Sequence, residues 1–143
     1  MSMMMQLAEH ILAIGQEQDI AVTNLALQKV MYFTIKAGYR NEVLTRGEIE
    51  NIYDEPFLVW RYGPVVESIY EEFAIFGSNG ITGNFEQKSM FNNLNELIRK
   101  LLQINVFSLV SRSHQEAFWI KNMPTEGMFR STTRYEIDNI IGV

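Results

Sequence analysis

Cysteine is absent from this 143-residue chain. That excludes a disulfide framework, a thiolate zinc site and a cysteine nucleophile, and it fits a reducing compartment. Basic clusters are missing as well. The twelve Lys and Arg are scattered, Arg99-Lys100 is the nearest approach to a cluster, and the formal net charge is -5. A phosphate-binding footprint needs a basic patch, so this balance disfavours direct contact with nucleic acid and suits a protein partner with a basic surface. No apolar run approaches the roughly eighteen residues needed to span a bilayer. The start, Met1 to Gln6, has no basic region and Glu9 interrupts its apolar pattern, so it does not read as a signal peptide. A cytoplasmic protein without membrane contact is expected. No repeat, low-complexity tract or dividing linker breaks the chain. Its length suits one domain that buries about two thirds of its unfolded surface.

What is present is mainly helical pattern. Residues 3–17 read as an amphipathic helix on Met4, Leu7, Ala8, Ile11, Leu12 and Ile14, with the methionine-rich start expected to fray. Residues 24–37 read as a second helix, capped by Thr23 or Asn24 and stopped by Gly38. Leu25, Leu27, Val30, Met31, Phe33 and Ile35 leave it little polar face, which places it centrally in the core. Residues 39–55 read as irregular and acidic, with a short helical turn near 48–53. Residues 77–84 form a turn-rich loop that lacks the Gly-Lys-Ser/Thr ending of a phosphate-binding loop. The clearest helix spans 87–103, and 105–112 is a shorter apolar piece. Thr133 with Glu136 is a capping-box spacing that starts a C-terminal helix at about 134–141. The expected fold is one mainly α domain of about six helices with a short extended segment near residues 57–62.

The sharpest change of pattern is Trp60-Arg61-Tyr62-Gly63-Pro64-Val65-Val66. Before it the chain is apolar and aromatic without helical period. Pro64 suits the first turn of a helix, and Val65, Val66, Ile69, Tyr70, Phe73 and Phe76 then fall at helical spacing. Gly63 permits the sharp turn between the two. In an extended segment Trp60 and Tyr62 point one way, into the core, and Arg61 points the other, outward or toward a carboxylate. The competing reading makes the aromatics anchors of a binding face.

Two blocks here carry a family resemblance. Thr23-Asn24-Leu25-Ala26-Leu27-Gln28-Lys29-Val30-Met31-Tyr32-Phe33 resembles the opening of the SocA-like, or Panacea, antitoxin family. The block from Trp60 to Val66, followed by Tyr70, Phe73 and Phe76-Gly77, is similar to that family's second landmark. His114 with Trp119 resembles its third, with Ala117-Phe118 departing from the usual pair. The match covers roughly residues 4–122. Asn24, Leu27, Gln28, Tyr32, Trp60, Tyr62, Gly63, Pro64, His114 and Trp119 are the matching positions. The resemblance implies a bacterial or phage-associated antitoxin that neutralises a co-encoded protein toxin by direct binding or by delivery to a protease. It implies a stand-alone domain without a DNA-binding partner domain.

Among chemistry-bearing residues, His10 and His114 are the only histidines, too few for a metal site of ordinary composition. His10 is expected near the polar side of its helix. His114, with Ser111, Ser113 and Trp119, is expected to pin a turn between helices. No nucleophile, base and orienting acid assemble into a catalytic set, so no catalytic residue, metal or cofactor is assigned and no enzyme is expected. Arg61, Glu67, Glu71 and Glu72 are the candidate partner-binding residues, the three glutamates forming an acidic helix face for a basic partner. The alternative function is a mobile-element protein that inhibits a host or defence protein. A helix-turn-helix regulator built on 3–17 and 24–37 is disfavoured, because a recognition helix needs a polar outer face.

Overall fold

Ser2 opens the first helix, α1 (Met3–Glu17), by accepting a hydrogen bond from the Met5 amide. In this computed structural model, which describes residues 1–142, the Asp54 carboxylate takes the amides of Met3 and Met4 at 2.7 and 3.1 Å. Two amides with no partner inside the helix thus meet an anion at its positive end. The methionine-rich start is therefore fixed, not frayed, and Met4 is fully buried. His10 is also fully buried rather than polar-faced. Its Nε2 lies 2.6 Å from Asn95 Oδ1, and its Nδ1 accepts the Lys88 amide at 2.8 Å.

α2 (Asn24–Arg40) is capped by Thr23, whose side chain accepts from the Ala26 amide. It runs past the expected stop at Gly38. The chain turns back after Asn41 and Glu42, the latter with φ +61°, and the Val43 and Leu44 amides donate to the Gly38 carbonyl at 2.8 and 2.9 Å. Leu44 then packs so closely that a Cβ on Gly38 would lie 2.8 Å from its Cδ1. Gly38 serves close packing within the helix, not its termination. α3 (Arg46–Ile52) carries the capping box Thr45/Glu48 and gives the acidic 39–55 stretch more order than its composition suggests.

The break at Gly63-Pro64 is a β-hairpin, not a strand running into a helix. β1 (Phe57–Trp60) pairs antiparallel with β2 (Gly63–Val66) in the register Phe57↔Val66 to Trp60↔Gly63, leaving Arg61 and Tyr62 as the turn. Among the described non-glycine residues only Asp19 and Glu42 have positive φ, so the left-handed step of this turn falls on Gly63, at φ +108°. Pro64 is tolerated in β2 because its opposite number, Val59, sends its amide away from β2, to the Thr133 carbonyl at 2.9 Å. The Val59–Pro64 pair is thus a non-hydrogen-bonded pair, and no ladder bond is lost to the missing N–H. The helix expected to begin at Pro64 begins three residues later, as α4 (Glu67–Glu72), and ends in a 3-10 turn at Ala74–Phe76.

The expected helix over 87–103 is split. Ser89–Leu94 is 3-10, and α5 (Asn95–Leu102) follows. His10 holds both the Lys88 amide and the Asn95 side chain at this joint, which tightens the turn between them. α6 (Val106–His114) and α7 (Ala117–Asn122) follow, the second unforeseen in the sequence pattern. α8 (Ile137–Ile141) closes the chain with Glu136, not Thr133, at its cap, in a reciprocal pair with Asn139. Thr133 lies in an extended stretch along β1, where Tyr135 also donates to the Phe57 carbonyl at 2.9 Å.

The fold is mainly helical, with eight α-helices and one two-stranded sheet among the described residues. α2 is its centre. It touches α1, α5, α6, α8 and β2, and Leu27, Met31, Tyr32 and Ile35 are wholly inaccessible. Among the described residues no helix is long and apolar enough to cross a membrane.

Candidate functional site

The polar residues of the 23–33 block meet on one side of α2. Asn24, Gln28, Tyr32 and Lys36 are spaced by four, which aligns them as a ridge. Asn24 donates to the Tyr70 carbonyl at 3.0 Å. Gln28 accepts the Val66 amide at 2.8 Å, with its own amide 3.5 Å from the Val66 carbonyl. Tyr32 donates to one oxygen of Glu116, and Lys36 pairs with the other. Burial and the Glu116 charge both push the Tyr32 phenol far up, so it stays a donor. Beside the ridge, fully buried Lys29 donates to the Pro64 carbonyl at 2.8 Å. Gln28 of the ridge and Lys29 beside it therefore hydrogen-bond the outward-facing groups of β2 with side chains.

Among the described residues Lys29 pairs with no carboxylate, and burial lowers its pKa to about 7. Its pocket is closed by backbone. A Cβ placed on Gly63 would lie 2.5 Å from Ser113 Oγ, 3.1 Å from Lys29 Cε and 3.2 Å from Lys29 Nζ. Ser113 is itself buried and donates to the Val110 carbonyl at 2.7 Å. His114 stacks on Trp119 with ring centres 3.7 Å apart, and Trp119 Nε1 donates to the Trp60 carbonyl at 2.9 Å. Burial lowers the His114 pKa, the Arg61 backbone opposes that shift, and the Lys29 charge adds to it. So Lys29, Ser113, His114 and Trp119 bear on the hairpin from behind, the first two at Gly63 and Pro64.

The outer end of the hairpin is built differently. Trp60 and Tyr62 do not share a face, because the strand ends at Trp60 and Tyr62 belongs to the turn. Trp60 is 6% exposed and Tyr62 is 49% exposed. The Arg61 amide donates to the Phe129 carbonyl at 2.7 Å. This draws the 128–131 stretch against the turn. The Arg61 guanidinium sits 5.0 Å from the Phe129 ring centre, and Arg130 sits 4.3 Å from that of Trp60 and 5.6 Å from that of Tyr70. Between these groups lies a cavity of about 390 Å³, walled by Trp60, Tyr62, Val65, Tyr70 and Phe129, with both arginines at its rim. Trp, Tyr and Arg are the side chains enriched at the energetic centres of protein interfaces.

Glu67, Glu71 and Glu72 are exposed on α4. Glu67 and Glu71 are not free of cations. Arg130 reaches them from the far end of the chain, at 3.8 and 3.4 Å. The structure therefore places Arg61 and Gln28 in the lining of one cavity, with Glu67 and Glu71 joined to its edge through Arg130, while Asn24, Leu27 and Tyr32 lie on α2 outside that lining. Sequence reasoning missed Arg130, Phe129, Lys29 and Glu116. For Lys29 and Glu116 no local cue exists. For Phe129 and Arg130 the cue is an apolar-basic pair that closely follows the turn residues Pro124 and Gly127. Among the described residues no group of three or more His, Asp and Glu side chains is placed to hold a metal ion. Compared with protein-family models, curated proteins and solved structures, the chain finds no match.

Proposed function

We propose that this chain is a cytoplasmic protein-binding domain that neutralises a co-encoded protein toxin, by direct binding or by delivery to a protease. The observation that carries this reading is the exposed arginine–aromatic cavity at the hairpin tip, backed by a rigid polar lattice. A preorganised cavity with Trp, Tyr and Arg at its rim suits the anchor of a protein interface. The acidic side of α4 borders it and gives a basic partner its long-range attraction. The resemblance to SocA-like antitoxins supplies the class of partner. No catalytic role, cofactor or metal is part of the proposal.

Binding to a host or defence protein instead is separated by partner identity. Co-expression with the adjacent gene product tests the first reading. Rescue of growth together with co-purification supports it, and a harmless or unbound neighbour defeats it. Glu67→Lys with Glu71→Lys is expected to slow association with that product by roughly tenfold at low salt, less at high salt, with the melting temperature little changed. Unchanged kinetics at two ionic strengths would remove α4 from the interface. DNA binding through α2 requires that helix to leave the core it centres. Specific, salt-sensitive binding to a duplex would overturn the protein-only reading.

A further inference from the structure

Arg61 borders two cavities, not one. On one side is the aromatic cavity. On the other lies a second, of about 260 Å³, walled by Trp119, Met123, Pro124 and Met128. Four of the nine large apolar side chains left exposed among the described residues flank this divide: Tyr62, Met123, Met128 and Phe129. The remainder of that set is spread over the chain, so this patch is a concentration and not the ordinary scatter of surface apolar groups. Tyrosine and phenylalanine offer stiff contact area, and methionine offers a thioether that adapts its shape.

The charges at the patch are unevenly matched. Arg130 is taken by Glu67 and Glu71. Arg61, exposed on the divide, makes no ion pair among the described residues. No acidic residue lines the aromatic cavity, and Glu126 alone lines the second without bonding Arg61. The Arg61 guanidinium, 5.0 Å from the Phe129 ring centre, keeps its fork of donors clear of any carboxylate among the described residues. That is the arrangement in which arginine takes a carboxylate through two parallel hydrogen bonds.

We propose that the Arg61 divide seats a segment of a protein partner in which one aspartate or glutamate lies between two bulky apolar side chains, the carboxylate on Arg61 and one apolar group in each cavity. The proposal deepens the protein-binding reading above and rests on it for the claim that a partner exists. It adds a local rule to that reading. A partner whose surface is basic toward α4 still carries one acidic residue where it meets the hairpin tip.

The test is a selection of displayed random peptides with the full chain as bait, repeated with Arg61→Glu and with Phe129→Ala. Tyr62, Phe129 and Arg61 are surface groups, so melting curves are expected to stay within a few degrees of the parent. The expected result is an enriched pattern of apolar, acidic and apolar residues. Arg61→Glu should weaken a synthetic copy of that peptide by about tenfold or more and shift the selected central residue to Lys or Arg. Phe129→Ala should weaken it by a similar factor. Enrichment without a central acid, equal binding by the Arg61→Glu variant, or no enrichment at all would overturn the proposal. The co-encoded protein then separates the two levels. If it rescues growth and binds Arg61→Glu as well as the parent, the neutralising function stands and the docking rule fails. If it shows no binding to the parent while peptides of the expected pattern do bind, the docking rule stands and the choice of partner fails.

Discussion

The two sides of one hairpin treat polar groups in opposite ways. Behind β2, Asn24, Gln28, Lys29 and Tyr32 are buried and each is spent on a fixed acceptor or donor. At the tip, Arg61 and Tyr62 are exposed, and the Arg61 side chain is held only by a ring face. The strands between the two are four residues long. Hydrogen bonds made in the interior are costly to break, because the orphaned group stays out of water. Contacts at the surface are cheap to exchange for a partner's. The comparison separates residues that make the site rigid from residues that remain available, and mutation should sort them the same way.

The largest effect is expected at the joint between the two. Gly63→Val adds atoms where Ser113 and Lys29 already stand and forces a β-branched residue to φ +108°. Loss of cooperative folding, or a destabilisation above about 3 kcal/mol, is expected in a thermal or urea melt. Tyr62→Ala, one residue away, is expected to change stability by less than about 0.5 kcal/mol. Similar melting curves for the two variants would erase the distinction.

Next comes Gln28→Ala. It leaves the Val66 amide buried without its 2.8 Å acceptor, at an expected cost of about 1–3 kcal/mol in equilibrium unfolding. Lys29 is expected to declare itself through pH. Its folded pKa is lowered to about 7 from 10.5. Between those values the unfolded chain binds more protons than the folded one, so stability rises with pH across that window and is lost as pH falls toward 7. The slope reaches at most about 1.4 kcal/mol per pH unit. Lys29→Met should flatten that slope, as read from urea melts at several pH values, and an unaltered slope would place the titration elsewhere. A smaller effect than that of Gln28→Ala is expected outside. Arg130→Ala should cost no more than about 1 kcal/mol, because its ion pairs with Glu67 and Glu71 are half exposed.

The helices of the core were legible in the sequence wherever apolar residues kept a helical period, as in α1 and α2. The hairpin was half legible. The aromatic run before Gly63 has an extended pattern and forms β1, but Gly63-Pro64 carries the pattern of a helix start and forms β2 instead. The same two residues serve either purpose, and what decides is whether the outward-facing groups of the next residues find partners. Those partners are Gln28 and Lys29, more than thirty residues earlier, and a local pattern does not hold that information. The spacing by four of Asn24, Gln28, Tyr32 and Lys36 was visible in an otherwise apolar helix, yet their destinations were not. The candidate site was least legible. Arg61 stands out in the sequence, but one wall of its cavity comes from Phe129 and Arg130, which reach it on a stretch held along β1 by backbone hydrogen bonds from distant residues.

A two-stranded ribbon ordinarily exposes both flanks to any extended chain that comes near, and such flanks are where copies of a protein begin to aggregate. Neither flank is open here. The 129–135 stretch lies along β1 through the Arg61, Val59 and Phe57 backbone groups. Side chains of α2 stand where a third strand would lie along β2. This ribbon therefore has no main-chain vacancy to lend. Recruitment by strand addition is closed to friend and stray copy alike, and whatever recognises the hairpin must do so through the side chains at its tip.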